Sequence, residues 1–119
     1  MLLAGDIHSV YLAPGSTDMR KQINGLSALV EQVLELDVFS GHLFVFCNRR
    51  RNMIRILYWR HNGFCLWTKR LEDQRFYWPE HREDVLRIGM RELTWLLDGF
   101  EIGRARGQAH EALTYTIAS

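Results

Sequence analysis

The chain has 119 residues, of which 47% are hydrophobic and 24% are charged. This composition is typical of one globular domain and excludes a chain that is disordered throughout. No apolar run approaches the roughly 18 residues that a membrane helix needs. The first residues lack the basic start and long apolar middle of a signal peptide. We therefore expect a cytoplasmic protein that makes no membrane contact.

The net charge of +1 conceals a strongly polarised chain. Residues 48–70 carry seven Lys or Arg side chains and no Asp or Glu. Residues 1–47 and 72–119 each carry three more acids than bases. Such a block favours an anionic partner, with nucleic acid as the first candidate. The alternative is that the arginines form a solvated loop and sheet edge, while the aromatic residues fill the core. Those aromatic residues are Phe46, Trp59, Phe64 and Trp67.

The N-terminal part of the chain predicts one strand and one helix. Residues 7–12 alternate apolar and polar before becoming continuously apolar, as in a half-buried strand. From Asp18 to about Leu36, apolar residues recur every three or four positions and form one stripe of an amphipathic helix. Thr17 or Asp18 is the expected N-cap of this helix. The stripe consists of Met19, Ile23, Leu26, Val30 and Val33.

The middle of the chain predicts an antiparallel meander. Runs rich in β-branched and aromatic residues occupy positions 42–47, 53–60 and 64–70, and a shorter fourth run occupies 75–78. The dipeptide Asn62-Gly63 favours a two-residue hairpin turn, because both residues tolerate a positive φ. With this dipeptide at the centre of the turn, Trp59 pairs with Leu66, Tyr58 with Trp67 and Arg60 with Cys65.

The triple arginine Arg49–Arg51 then lies in a loop between two strands of this meander. The two cysteines, Cys47 and Cys65, are expected on neighbouring strands. They suit a reducing compartment as free thiols, with a disulfide as the less favoured alternative.

Helical spacing returns after Pro79. Residues 85–88 and 90–97 predict two short helices separated by Gly89, and Gly99 is the expected stop of the second. A helix-turn-helix is one interpretation of this pair, although any helical hairpin has the same spacing.

Taken together, these elements predict a single α+β domain over residues 1–101. Its antiparallel meander sheet has about four to five strands, with an N-terminal helix and C-terminal helices packed on it. Residues 102–119 are expected to form a loosely ordered tail, or a strand against a partner.

No motif in the sequence identifies an enzyme. The five histidines and two cysteines lack the spacing of metal ligands. There is no Ser-His-Asp elbow, phosphate-binding glycine loop or metalloprotease helix. The aspartates are scattered, so a metal-dependent nuclease would require several of them to converge in space. We expect no catalytic residues, no bound metal and no cofactor.

A series of short motifs nevertheless resembles one known family, the accessory proteins often called TnpB of bacterial insertion sequence family sixty-six. The resemblance runs in order across about residues 8–100, and its combination of Thr-Asp-Met-Arg-Lys, Lys-Arg-Leu-Glu and aromatic-Trp-Pro is specific. The motifs are Val10-Tyr11-Leu12-Ala13, Thr17-Asp18-Met19-Arg20-Lys21, Gly25-Leu26, Phe39-Ser40-Gly41, Leu43-Phe44-Val45-Phe46, Asn48-Arg49-Arg50-Arg51, Ile56-Leu57-Tyr58-Trp59, Gly63-Phe64-Cys65-Leu66, Lys69-Arg70-Leu71-Glu72 and Phe76-Tyr77-Trp78-Pro79.

The resemblance implies a non-catalytic accessory factor for DNA transposition, encoded beside a larger transposase that cuts and joins DNA. Together with the basic block, this family context predicts two partners, DNA at the transposon ends and the transposase of the same element, and a homo-oligomer is a further expectation. The alternative is a protein-interaction module that acts through the transposase or through self-association, without binding DNA. Arg55 stands where the family often has Lys, and His61 stands where an acid is common.

Eight basic residues are the predicted nucleic-acid contacts. Arg49, Arg50, Arg51 and Arg55 are expected to bind phosphates, with Lys69 and Arg70 as lateral support. Arg20 and Lys21 open the first predicted helix, where a positive charge opposes the helix dipole. Their placement therefore indicates a contact rather than a contribution to helix stability.

Overall fold

A computed structural model of the chain describes residues 9–79 and 84–102. Within them the chain folds as the α+β domain that the sequence predicts, with a five-stranded sheet. The strands lie in the order β4-β3-β2-β1-β5, and all neighbours are antiparallel except β1 and β2, which are parallel. The elements are β1 (Val10–Leu12), α1 (Ile23–Ala28), a π-helical turn (Leu29–Val33), β2 (Leu43–Cys47), β3 (Met53–Arg60), β4 (Gly63–Arg70), β5 (Leu86–Ile88) and α2 (Met90–Leu97).

Strand β2 lies at the centre of the sheet, and all five of its residues are buried. Successive side chains of a strand point to opposite faces. Leu43 and Val45 therefore pack in the cluster that contains Leu93 and Leu96 of α2. Phe44 and Phe46 pack on the other face, in the cluster around α1 and the π-helical turn. The sheet is thus covered by a helical element on each side, with a separate core between each pair of layers.

The first helix is shorter than predicted and contains the π-helical turn. The Leu34 N–H donates to the Leu29 carbonyl at 3.0 Å, a bond that spans five residues. A π turn holds one more residue than an α turn, so it rotates the following side chains around the helix. Val33, the last residue of the predicted stripe, is therefore 64% exposed. Leu34 packs against the core on the α1 side instead.

Neither of the predicted caps acts on this helix. Gln22 occupies the N-cap of α1 and makes no side-chain capping bond. Asp18 instead holds a separate turn, in which its carboxylate accepts a hydrogen bond from the Arg20 backbone N–H at 2.9 Å. The Thr17 N–H donates to the Cys47 carbonyl at 2.8 Å, so Thr17 continues alongside the end of β2.

The predicted hairpin register is wrong by two residues. In the structure Arg60 pairs with Gly63 and Trp59 pairs with Phe64, so the turn residues are His61 and Asn62. His61, not Gly63, adopts the positive φ, at 58°. The buried Leu57 lies between Phe44 and Leu66 in neighbouring strands, and this packing overrides the turn preference of Asn-Gly. Because the shift is an even number of residues, each side chain lies on the same face of the sheet in either register.

The fourth predicted strand, residues 75–78, is not a strand. Phe76 and Trp78 are buried in the cluster on the α2 side of the sheet. The Phe76 N–H donates to the Arg51 carbonyl at 2.7 Å, and Trp78 Nε1 donates to the Gly15 carbonyl at 3.0 Å. The segment therefore joins loops at one end of the sheet instead of adding to the β ladder.

The prediction of two C-terminal helices is half wrong. Leu86–Ile88 forms strand β5 beside β1, which excludes a helix-turn-helix over these residues. Helix α2 is confirmed, with Gly89 as its N-cap residue. Gly99 ends it with a φ of 95°, as expected of a glycine after a helix.

Three further predictions concern the cysteines and the chain ends. Cys47 lies on β2 and Cys65 on β4, so the intervening β3 makes their placement on neighbouring strands wrong. Both are free thiols.

Ile102, the first residue assigned to the tail, is buried in the core on the α2 side. Residues 7, 8 and 103–119 lie outside the described part of the chain.

None of the helices in the described segments has the length and apolar character needed to cross a membrane.

We predict that Leu96→Ala lowers the free energy of unfolding by about 2–5 kcal/mol, because it leaves a cavity in a fully buried site. Val33→Ala is the matched control and should change it by less than about 0.5 kcal/mol, because Val33 is mostly exposed. Urea denaturation of both variants measures the difference. Similar decreases in the two variants would contradict the assignment of the core on the α2 side.

Candidate nucleic-acid interface

All eight predicted basic residues lie at one end of the sheet, which we call the basic end. It comprises residues 17–21, 48–55 and 69–75, with nine Lys or Arg and three Asp or Glu side chains. Backbone bonds join these segments, from the Thr17 N–H to the Cys47 carbonyl and from the Leu71 N–H to the Asn52 carbonyl. The ninth basic residue is Arg75, which the sequence analysis did not include.

The Asn48 side chain closes the turn between β2 and β3. Its Oδ1 accepts hydrogen bonds from the backbone N–H groups of Asn52 and Met53, each at 3.1 Å, and its Nδ2 donates to Asn52 Oδ1 at 2.7 Å. Asn favours the first position of turns for this reason. Arg49 and Arg50 project from this turn and are exposed.

Arg51 has a different role from the two arginines before it. It adopts a left-handed backbone conformation with a φ of 62°, which is uncommon for a residue other than Gly. Its Nη1 donates to the Trp78 carbonyl at 2.8 Å, and its own carbonyl accepts the Phe76 N–H at 2.7 Å. Arg51 therefore fastens the turn to the segment that follows β4.

Two other predicted contacts also donate to backbone carbonyls. Arg55 Nη1 donates to the Lys21 carbonyl at 3.0 Å and so joins β3 to the segment before α1. Lys69 Nζ donates to the Leu97 carbonyl at 2.8 Å. This carbonyl belongs to the last turn of α2, where a positive charge is favourable because of the helix dipole. Both side chains thus stabilise the basic end.

Two ion pairs at the basic end are exposed. Arg70 lies 3.2 Å from a Glu72 carboxylate oxygen, and Arg20 lies 2.7 Å from Asp18. The hydrogen bonds from Arg20 lower the pKa of Asp18 from 3.8 to about 2. Because α1 begins only at Ile23, Arg20 lies outside the helix and does not oppose its dipole. Within the described residues its side chain forms an ion pair with Asp18, and its contact with nucleic acid stays a prediction.

Three of the predicted cations therefore remain available for a ligand. No hydrogen bond or ion pair joins the side chain of Arg49, Arg50 or Lys21 to another residue in segments 9–79 and 84–102, and all three are exposed. The sequence identified the charge of this surface. It did not distinguish these three side chains from the ones that hold the fold together.

A cluster of aromatic side chains lies at the opposite end of the sheet. Phe39, Trp59 and Phe64 contact one another with ring centroids 4.9–5.5 Å apart. Phe39 is 53% exposed, while Trp59 and Phe64 are half-buried. Of the four aromatic residues proposed for the core, only Phe46 is fully buried. We call Phe39, Trp59 and Phe64 the aromatic end.

Within residues 9–79 and 84–102, no three His, Cys, Asp or Glu side chains are grouped so that they could hold a metal ion. The convergence of carboxylates that a metal-dependent nuclease requires is therefore not found in this part of the chain.

Comparison with known proteins places these features in a family context. Residues 8–107 match the model of the family described as IS66 Orf2 like protein. Uncharacterized protein y4hO of Sinorhizobium fredii is 37% identical over 101 residues, which cover 85% of this chain and 88% of that protein. Uncharacterized protein y4jC of the same organism is 33% identical over 97 residues, which cover 82% and 83%. No solved structure gives a significant match.

We predict that Arg20→Gln raises the pKa of Asp18 from about 2 part of the way towards 3.8, because it removes the guanidinium hydrogen bonds that favour the carboxylate and leaves the bond from the residue 20 backbone N–H. A lowered pKa contributes stability above pH 3.8 that disappears as the pH falls through about 2. NMR titration of the Asp18 side chain in both proteins measures the change. Arg70→Gln is the control, since Arg70 pairs with Glu72 instead. An Asp18 pKa near 2 in the Arg20→Gln protein would contradict the assignment of the lowered pKa to the Arg20 side chain.

Proposed function

This chain belongs to the family of IS66 Orf2-like proteins, and we propose that it is a non-catalytic accessory factor for transposition that binds DNA phosphates through its basic end. The observation that carries the proposal is the Asn48 turn, which presents Arg49 and Arg50 exposed and without a protein partner in the described segments. Lys21 supplies a third exposed cation at the same end.

The fixed turn favours binding, because its backbone has little freedom left to lose when phosphate is contacted. Arginine suits this role, since its planar guanidinium donates two parallel hydrogen bonds to phosphate oxygens. Arg51, Arg55 and Lys69 do not need to contact DNA. In this proposal their bonds to carbonyls hold the surface in shape, while their charge attracts the phosphate backbone.

Phosphate contacts position a protein on DNA without reading its sequence. The proposal therefore makes this chain a clamp on DNA near the transposon ends, with the transposase of the same element as its second partner. Recognition of the terminal repeat then belongs to the transposase.

We predict that Arg49→Gln combined with Arg50→Gln weakens binding to a short DNA duplex. The slope of log affinity against log salt should fall by about 0.9 for each phosphate that the variant no longer neutralises. The matched control is Arg87→Gln combined with Arg91→Gln, which removes two exposed positive charges outside the basic end. Fluorescence anisotropy across a salt series compares the variants on a terminal-repeat duplex and a scrambled duplex.

An unchanged salt slope in the Arg49 and Arg50 variant would overturn the proposal that this turn contacts DNA phosphates. Equal decreases in affinity in the two double variants would show that net charge, rather than the Asn48 turn, determines binding. A preference of the unmodified protein for the terminal repeat would contradict the clamp.

The aromatic end favours a second function, docking on the transposase. An exposed aromatic residue on a packed cluster is a common anchor of protein interfaces. Phe39 has this position, since it is half exposed and lies against Trp59 and Phe64. The two functions use opposite ends of the sheet, so a mutation can separate them.

We predict that Phe39→Ala reduces capture of the purified transposase of the same element but leaves DNA affinity unchanged. Tyr77→Ala is the control, because Tyr77 is an equally exposed aromatic residue outside the cluster, at 58%. Pull-down with purified transposase and anisotropy with the duplex measure the two activities. Full capture by the Phe39 variant would exclude the aromatic end as the docking surface.

A further inference from the structure

Strand β4 forms one edge of the sheet, and no described strand pairs with its outer side. All eight residues of β4 pair with β3 without a bulge, and the strand contains no proline. Natural edge strands usually carry such interruptions or inward charges, which prevent pairing with another chain. In β4, four consecutive apolar residues, Phe64 to Trp67, are half-buried, and the charges come only at its end, in Lys69 and Arg70.

The hydrogen-bonding groups that face outwards follow from the ladder between β3 and β4. The Leu71 N–H donates to the Asn52 carbonyl, so this pair is hydrogen-bonded. Hydrogen-bonded and non-bonded pairs alternate along an antiparallel ladder. The odd-numbered residues of β4 therefore bond to β3. The N–H and C=O groups of Phe64, Leu66 and Thr68 point to the open edge.

We propose that a second copy of this chain pairs with this edge, antiparallel and centred on Leu66. A two-fold axis at this position sets Leu66 opposite the partner's Leu66 and Phe64 opposite the partner's Thr68. Phe64, Leu66 and Thr68 then exchange hydrogen bonds with their opposites across the axis. The contact is self-complementary, so it closes both open β4 edges at once. Among the described strands, the edge that remains in each copy is β5, which has only three residues.

Charge favours this arrangement over a parallel one. A parallel pairing would place Lys69 and Arg70 beside the same residues of the other copy. The antiparallel pairing instead brings the partner's Arg70 diagonally across from Phe64, on the same face of the sheet. There its guanidinium is within reach of the rings of Phe64 and Trp59, which attract cations. The inference does not depend on DNA binding.

Sedimentation equilibrium of the purified protein should give a dimer, twice the 14.0 kDa mass of the chain. Thr68→Pro removes an outward N–H without breaking the bonds to β3, and Thr68→Ala keeps that N–H as the control. Each copy then donates one hydrogen bond fewer, so Thr68→Pro should raise the dissociation constant of the dimer about tenfold. A monomeric unmodified protein, or dimers of equal strength in the two variants, would overturn the proposal.

A charge exchange tests the register directly. Leu66→Lys and Leu66→Glu each place like charges opposite each other, so each variant alone should be monomeric. Mixing the two should restore a dimer, because the charges are then opposite. A merely destabilised fold would not be rescued by mixing. No heterodimer in the mixture would overturn the Leu66-centred register.

Cys65 provides a reporter in the unmodified chain. In this register Cys65 lies opposite the partner's Trp67 and therefore diagonally across from the partner's Cys65. Diagonal positions are about 7–8 Å apart. A short bismaleimide should therefore join two copies through Cys65. Cys47 should not react, because it is buried and desolvation raises its pKa to about 12. Cross-linking should be abolished in Cys65→Ser and retained in Cys47→Ser. Cross-linking that persists in both variants, or no cross-linking at all, would contradict the pairing.

Discussion

The fold depends on the complete burial of strand β2. Its five consecutive apolar residues point alternately to two faces, so each face requires its own helical cover and each edge its own neighbouring strand. No polar residue lies within the strand. The chain therefore becomes polar only where β2 ends, at Asn48, whose side chain converts this exit into a fixed turn. Because β1 runs parallel to β2, the segment that follows β1 emerges at the same end and brings Arg20 and Lys21 to the same surface.

The hydrogen bonds that stabilise the basic end do not neutralise its positive charge. The hydrogen bonds that Arg51, Arg55 and Lys69 donate are accepted by backbone carbonyls, which are neutral. These bonds fix three side chains and satisfy the carbonyls of Trp78, Lys21 and Leu97 without cancelling positive charge. Carboxylate acceptors in place of these three carbonyls would have held the loops equally well, but their negative charge would have removed the electrostatic attraction for an anion. The structural and electrostatic roles of these residues are thus compatible, and among the predicted cations Arg49, Arg50 and Lys21 are left to make new bonds.

Local patterns predicted most of the local elements, and the errors arise from contacts distant in sequence and from short or irregular local structure. Strands β2, β3 and β4 followed from β-branched and aromatic runs, and α2 from its periodicity and Gly99. The parallel pairing of β1 was not predicted because it joins segments some thirty residues apart. The three residues of β5 are too few for periodicity to separate a strand from a helix. The π-helical turn exchanged Val33 for Leu34 in the core. At the basic end, composition indicated the charge, but the carbonyl partners of Arg51, Arg55 and Lys69 exist only in the fold.

The most direct test of the central claim is to map the DNA contact on the protein by NMR. Backbone amide and arginine side-chain shifts would be followed while a short duplex is added to the labelled chain. The account predicts changes concentrated in residues 17–21 and 48–52, with the guanidinium signals of Arg49 and Arg50 moving more than that of Arg51. Changes confined to Phe39, Trp59 and Phe64, or no changes at low salt, would contradict a phosphate-binding basic end. In that case protein docking at the aromatic end would become the primary function.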